Sequence, residues 1–378
     1  MAQARPGLLF FLFRKNRANL KNGGKNMKKK LALALALAMT MSMALTACGG
    51  GDKSSGGSTS NPGQPSGTSS SQPSGTSSSQ PSSGLSAKDG GTSLTFTTGG
   101  DQGTYYAFGG VLGGKVGETT STTVTAVPSG GSKSNIDTME LEDAQLGFVQ
   151  SDVMAYAYNG ERLFEEKVDC FSTVAALYME QVQIVTLNPD IKTVADLKGK
   201  SVSIGDLGSG VYFNAIDVLG AYDLTEDDIK PQYLSFGDSA ENLQDGKIDA
   251  AFVVAGAPTT AVTTLAASND VYLVSLDDEH IDKLIASSPY YSKNIISKDA
   301  YNTPEDVTTV AVGAVVIARN DVSDDDVYNF LYGVFENIDT LGHDKAKELS
   351  LEFASSVTAV PYHPGAVAYF ADKGITVK

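Results

Sequence analysis

Cysteine is nearly absent. Cys48 and Cys170 are the only two in 378 residues, so disulfides do not staple this fold, and a chain of this size can bury an adequate core without them. Histidine is almost as rare. His280, His343 and His363 stand far apart, with no pair at metal-ligand spacing. No Gly-x-Ser-x-Gly nucleophile elbow and no complete phosphate-loop motif occurs. A hydrolase working with two carboxylates is the enzyme class that composition alone leaves open. Two acidic triplets, Asp277-Asp278-Glu279 and Asp324-Asp325-Asp326, lack the spacing and glycine of a calcium loop and read as solvated helix starts. No metal and no cofactor is expected. Positive charge is also scarce, with 28 Lys and Arg against 44 Asp and Glu.

What is present begins with an address. Lys28-Lys29-Lys30 precedes the apolar run Leu31–Leu45, which at about 15 residues, roughly 22 Å as a helix, is too short to span a bilayer comfortably. A basic segment, a short apolar run and small residues mark a secretory signal. The run ends in Leu45-Thr46-Ala47-Cys48-Gly49, which resembles the bacterial lipobox. That resemblance implies cleavage before Cys48, lipidation of its thiol and anchoring to the membrane. Residues 1–47 are therefore read as a signal region, with Met27 a more conventional start than Met1. Nine Lys or Arg and no Asp or Glu precede Cys48. The processed chain then carries 19 basic and 44 acidic residues, a net charge of −25. Such a surface repels nucleic acid and anionic headgroups. Any anionic ligand must be held by local dipoles. With Cys48 lipidated, Cys170 has no partner in the chain and reads as a small buried hydrophobe beside Phe171.

From Gly49 to about Thr92 the chain is Gly, Ser, Thr, Pro and Gln, and Gln64–Ser71 recurs unchanged as Gln72–Ser79. Such a segment cannot offset its ordering entropy and reads as a flexible tether. Its length corresponds to roughly 35–40 Å root-mean-square, enough to hold a domain off a membrane. From Leu94 strand and helix signals alternate, beginning with Leu94–Thr98, Tyr105–Val116, Thr122–Val127 and Ala144–Val149. Apolar runs at Phe171–Leu177, Val182–Leu187 and Val307–Ala318 follow, and helices at Asp324–Leu341 and Asp344–Ala354 close the chain. The alternation predicts parallel α/β sheets, and about 285 residues suit two lobes better than one.

The loops carry a more specific signal. Gly99-Gly100-Asp101-Gln102-Gly103-Thr104-Tyr105-Tyr106, Gly130-Gly131-Ser132-Lys133-Ser134-Asn135 and Val149-Gln150-Ser151-Asp152 are followed by Ala195–Lys200 and by Gly208-Ser209-Gly210 with Asn214. Then come Gln232–Phe236, Asp249–Phe252, Ala255-Gly256-Ala257-Pro258 and Pro361–Ala366. In this order they resemble the TAXI family, the receptors of tripartite ATP-independent periplasmic (TRAP) transporters. The resemblance implies an α/β fold of the two-lobe, type II periplasmic-binding-protein kind with two crossing segments, near Tyr178–Val182 and Asn302–Thr308. Lobe one would be 93–178 plus 308–378, and lobe two 179–307, with the ligand in the cleft between them. It also implies a small solute as ligand, a TRAP membrane permease as partner and an extracytoplasmic location. Nothing in the sequence asks for more than a monomer.

Gly100–Thr104, Gly130–Ser132 and Gly208–Gly210 share one design: a strand, a Gly/Ser turn, then a helix. Glycine lets the backbone approach a ligand closely, and the next amides point freely from the helix N-terminus, an arrangement that binds carboxylates. Taken singly, each reads equally well as a tight turn with a serine cap. By resemblance the ligand site comprises Tyr106, Ser132, Asn135, Gln150, Ser209, Gly210 and Gly256. Tyr106 would pack on the ligand, the serines would donate to oxygens, and Asn135 and Gln150 would read an amine, amide or second carboxylate. Gln150 and Asp152 could instead cap the following helix. Val211 stands where the family often carries Thr, so one hydroxyl contact is lost. Tyr290-Tyr291 fits pocket lining and core packing equally, and His363 reads as the buttress of a turn. The solute class implied is an amino acid such as glutamate, a dicarboxylate or a keto acid. The receptor of an ABC importer, a secreted lipoprotein hydrolase and a surface adhesin are the competing readings.

Overall fold

The computed structural model describes residues 85–378. The signal region, the lipobox Cys48 and the repetitive tether as far as residue 84 lie outside the described residues.

Lobe one begins as a run of strand–helix units. These are β1 (Ser93–Thr97), α1 (Thr104–Thr119), β2 (Thr123–Val127), α2 (Ser132–Glu140), β3 (Leu146–Gln150) and α3 (Ser151–Asn159). β4 (Phe171–Thr186) then carries the chain across. The second lobe holds β5 (Ser201–Ser203), α4 (Gly210–Ala221), β6 (Lys230–Gln232), α5 (Phe236–Gln244) and β7 (Ala250–Ala255). It continues through α6 (Thr260–Ala266), β8 (Tyr272–Leu273), α7 (Asp278–Ser287) and β9 (Ser292–Ile296). β10 (Val307–Arg319) returns the chain, and α8 (Asp324–Phe335), α9 (Leu351–Ala354) and α10 (Pro364–Asp372) complete lobe one.

The strands join in the order β2-β1-β3-β10-β4-β7-β5-β6, with β8 on β4 and β9 on β10. β1 pairs in parallel with β2 and β3, and β5 does so with β6 and β7. The long antiparallel pair β4–β10 belongs to both halves. β10 follows β9 up to Ala311 and turns to β3 from Ala314. β4 pairs with β7 from Gln181 onward. The apolar runs Phe171–Leu177 and Val182–Leu187, which read as two strands, are thus one continuous strand of 16 residues. Met179, Glu180 and Gln181 between them stay in register with β10, and ladder bonds override the polar interruption.

Each sheet half is covered on both faces, and the period-2 alternation sorts its side chains. On β10, Ala314, Val316 and Ala318 join Phe96, Phe108 and Phe330 on one face, while Val315 and Ile317 join Ile136, Val149 and Val153 on the other. On β7, Phe252 and Val254 pack with Val202 and Leu219, and Ala251 and Val253 with Leu243 and Leu265.

Three local expectations need correction. Residues 85–92, assigned to the tether by composition, dock on α8: the Lys88 amide donates to Asn329 Oδ1 at 2.7 Å, and the Lys88 ammonium lies 4.0 Å from the Tyr328 ring centroid. Asp344–Ala354 is not one helix but a 3-10 turn at Asp344–Glu348 followed by the short α9. Asp324 and Asp325 are exposed as expected of a helix start, but Asp326 is buried. Its carboxylate accepts hydrogen bonds from the Thr92 amide and from the hydroxyls of Thr92, Thr122 and Ser323, pinning the entry of β1. These bonds hold the carboxylate below the usual range against the opposing effect of burial. Among the described residues no helix is long and apolar enough to cross a membrane.

Candidate functional site

In each sheet half the strand order reverses around a central strand, β1 in lobe one and β5 in lobe two. Ligands of open α/β sheets bind beyond the carboxyl ends of the strands at such reversals. Here both sets of carboxyl ends face one cleft enclosing about 540 Å³ of space, part of it open to solvent. Gly99–Gly103 after β1, Ser129–Ser132 after β2 and Gln150 at the end of β3 form one wall. Asp206–Val211 after β5, Leu234–Phe236 after β6 and Val254–Ala255 at the end of β7 form the other.

The lobes touch around this cleft. The Ser134 amide donates to the Gly208 carbonyl at 3.0 Å, and the Thr104 hydroxyl donates to the Gly256 carbonyl at 3.0 Å. The closest approach is at Gly210, where a Cβ would lie 1.8 Å from Gln150 Oε1 and 2.9 Å from Ser132 Oγ. Gly131, at φ +97°, sits 3.4 Å from the Ser209 backbone by the same measure, so glycine serves both conformation and proximity there.

Five helices, α1 to α5, begin at the cleft. α1 and α2 have glycine N-caps, Gly103 and Gly131, with no side-chain cap bond. Apart from that of Ser134, which donates to Gly208, their first amides remain available to an acceptor. α4 differs: Ser209 Oγ accepts from the Tyr212 amide at 3.3 Å and donates to the Asp206 carbonyl at 2.8 Å. Ser132 Oγ accepts from the Gln150 amide at 3.1 Å, tying α2 to β3. Gln150 Oε1 is buried with no hydrogen-bond partner among the described residues.

The base of the cleft carries two residues that the sequence reading did not single out. Tyr105 donates its hydroxyl to Glu180 Oε2 at 2.7 Å, and both line the cleft. Tyr105 is fixed by stacking on Phe148, centroids 4.5 Å apart and planes at 3°. Glu180, 2% exposed, has its carboxyl pushed up to about 8 by burial. Asp152 adds to that effect, while Tyr105, Lys345 and Gln150 oppose it. Burial, with the Glu180 charge second, raises the Tyr105 hydroxyl well above its ordinary value. Lys345 does not line the cleft; its ammonium pairs with Glu348 at 2.5 Å. A lone acidic residue inside an apolar strand was the available signal for Glu180.

The residues expected at the site divide accordingly. Ser132, Gln150, Ser209 and Gly210 line the cleft together. Tyr106 does not: it is half-buried on α1, one step of about 100° around the helix from Tyr105. Asn135 lies behind the wall, fully buried, its amide donating to the carbonyls of Thr98 at 2.6 Å and Phe148 at 2.7 Å and so locking the ends of β1 and β3 together. Gly256 lies beside the cleft. A Cβ there would meet Lys345 Cε at 2.3 Å, so it makes room for that buried stem. Tyr291 is buried under α4 with its hydroxyl donating to Asp217 Oδ2 at 3.0 Å, and Tyr290 packs edge-on to Tyr156; neither lines the cleft. His363 caps α10, its Nδ1 accepting from the Gly365 amide at 3.2 Å. Cys170 is half-buried, and burial pushes its thiol up to about 11, which suppresses nucleophilicity.

A family model described as the NMT1-like family matches residues 96–374, nearly the whole two-lobe region. The chain belongs to the NMT1-like family. Solved structures similar to it are of low sequence identity. The alkanesulfonate-binding protein SsuA from Xanthomonas axonopodis pv. citri, bound to MOPS, is 14% identical, with 77% of this chain and 92% of that chain covered at a TM-score of 0.43. An ancestral arginine-binding protein bound to arginine is 14% identical, with coverages of 68% and 96% and a TM-score of 0.43. A periplasmic transporter structure is 13% identical, with coverages of 75% and 94% and a TM-score of 0.46. The sheet order and the cleft of this NMT1-like chain are those of its own α/β structure.

Proposed function

We propose that this NMT1-like protein is the extracytoplasmic solute receptor of a bacterial uptake transporter, closing on a small carboxylate-bearing molecule and releasing it unchanged to a membrane permease. The observation that carries the reading is the convergence of six parallel-strand ends, from two lobes joined only through β4 and β10, on one cleft. The glycine-capped helix starts of α1 and α2 supply amides for a carboxylate. A charge-assisted bond from such an amide is worth about 1.5–3 kcal/mol, so two or three hold a carboxylate without an arginine. Ser132, Gln150, Ser209 and Gly210 contribute to this site, with Tyr105 in the aromatic role first given to Tyr106.

The lobes hinge at the β4–β10 pair. The solute bridges them and shifts the population to the closed state by its higher affinity for that state. The lipobox around Cys48 supports a lipid anchor and the repetitive segment a tether. The ordered loop motifs support the TAXI branch and a TRAP permease as partner. Membership of the NMT1-like family accords equally with an ABC importer as the partner. Co-purification from membranes with a TRAP-type or an ABC-type permease separates the two.

The test is a thermal-shift screen of the full chain against amino acids, dicarboxylates, keto acids, sugars and sulfonates. A true solute at about 100 times its dissociation constant adds roughly 2.7 kcal/mol and raises the midpoint by several degrees. Recovery of that solute chemically unchanged separates a receptor from a hydrolase. Absence of any shift, with no solute released on denaturation, overturns the reading.

A further inference from the structure

Taking the receptor reading as given, we infer that Glu180 is the acceptor for a cationic nitrogen on the solute, so that the cleft selects zwitterionic amino acids over keto acids and dicarboxylates of the same shape. Among the described residues the charged side chains lining the cleft are Glu180 and Asp206, and no Lys, Arg or His lines it. Its positive features are backbone amides at the uncapped starts of α1 and α2. The cleft therefore offers both amide donors and carboxyl acceptors. A molecule carrying both a carboxylate and an ammonium matches this pattern.

Two further observations point to a donor-rich nitrogen. Gln150 Oε1, 98% buried as a residue and lining the cleft, is an acceptor with no partner. Glu180 accepts from Tyr105 at Oε2 and interacts with the Gln150 side chain, and the two oxygens of a carboxylate, with about four acceptor sites, leave it able to accept more. An ammonium brings three N–H groups and can serve both residues. An ionised carboxylate this deeply buried is costly unless a positive charge faces it. The buried Lys345, whose charge lowers Glu180, is already engaged by Glu348. A second carboxylate on the solute would instead meet Glu180 and force one of the two to hold a proton.

The discriminating experiment is isothermal titration of the full chain with matched pairs: L-glutamate and 2-oxoglutarate, L-aspartate and oxaloacetate, L-alanine and pyruvate. The expected result is that the amino acid of at least one pair binds about tenfold or more tightly than its keto partner. E180Q, nearly isosteric, is expected to abolish that preference, weakening the amino acid and leaving the keto acid within a few-fold. Proton release should accompany amino-acid binding at pH 7, as Glu180 ionises on meeting the ammonium. Equal or tighter binding of the keto acids, or a preference that survives in a folded E180Q, overturns the assignment of Glu180 while leaving the receptor reading intact. Binding of only a sugar or sulfonate has the same effect. No binding by any compound in the wider screen, and no solute released on denaturation, overturns both.

Discussion

Asn214 donates its side-chain amide to Asp152 Oδ2 at 3.0 Å, a bond from α4 in one lobe to the start of α3 in the other, with both side chains fully buried. Asn214 also donates to the Tyr291 hydroxyl at 2.8 Å, which in turn donates to Asp217. Arg162 closes the group from the lobe-one side, pairing with Asp217 at 2.7 Å. This cluster latches the lobes beside the cleft without lining it.

Burial raises the Asp152 carboxyl to about 7, against an ordinary value of 3.8, with Asp217 adding to the effect and backbone amides and Asn214 opposing it. A carboxyl raised on folding binds a proton more tightly in the folded state, so its contribution to stability falls as pH rises from about 4 to 7 and stays low above that. Other carboxylates, including Asp277 and Asp326, are lowered on folding and act in the opposite sense. The measurement is therefore a difference. Relative to the wild type, D152N is expected to be similar in stability near pH 4 and more stable at pH 8, by up to about 4 kcal/mol. Denaturant unfolding at both pH values checks this, and a pH-independent difference would rule out Asp152 as the source.

Arg162–Asp217 is a half-exposed pair, with side-chain exposures of 36% and 14%, and Arg162 also lies 5.2 Å from the Tyr156 ring centroid. R162A is expected to cost no more than about 1 kcal/mol of global stability. Its larger effect is on the open–closed balance. Small-angle scattering of the unliganded chain should show a larger radius of gyration for R162A, and solute should restore the wild-type value.

Gly210 should be the most sensitive position for closure. A methyl there would enter the space of Gln150 Oε1, which belongs to the other lobe, while alanine is a better helix former than glycine within α4. G210A is expected to fold with an unchanged or slightly higher midpoint and to lose solute binding by about tenfold or more, since the clash opposes closure. Retention of full affinity would mean that the contact between Gly210 and Gln150 is not part of the liganded state.

Tyr105 and Tyr106 make a matched control. Y105F removes the hydroxyl that donates to Glu180 from a buried site, at a cost of about 1–3 kcal/mol. It should weaken solute binding and raise the Glu180 titration further. Y106F, outside the cleft, is expected to change neither stability nor affinity measurably. Titration calorimetry on the pair decides which tyrosine belongs to the site.

The loops that build the cleft walls were legible because their signals are local. A strand followed by Gly-Gly-Asp-Gln-Gly, Gly-Gly-Ser or Gly-Ser-Gly and then a helix specifies a turn with free amides whatever surrounds it. Side-chain direction was less legible. Tyr105 and Tyr106 are adjacent and chemically identical, and the choice between them rests on stacking with Phe148, which is remote in sequence. Asn135 has the composition of a ligand contact, yet the carbonyls of Thr98 and Phe148 take up its amide. Glu180 was passed over because a strand interior reads as ladder and core; its place at the cleft depends on what lies opposite.

The sequence by itself determined the alternation of strands and helices, the Gly/Ser turns at the helix starts, the apolar periodicity that fills the cores, and the excess of acidic residues. These follow from backbone preference and burial within short windows of chain. Only the tertiary structure decided which side chains meet in the cleft. The contacts that settle it, Tyr105 with Glu180 across 75 residues and Thr104 with Gly256 across 152, form when separate segments are brought together by sheet order and lobe closure. No local pattern encodes such a meeting, because its free energy belongs to the pair and not to either segment alone.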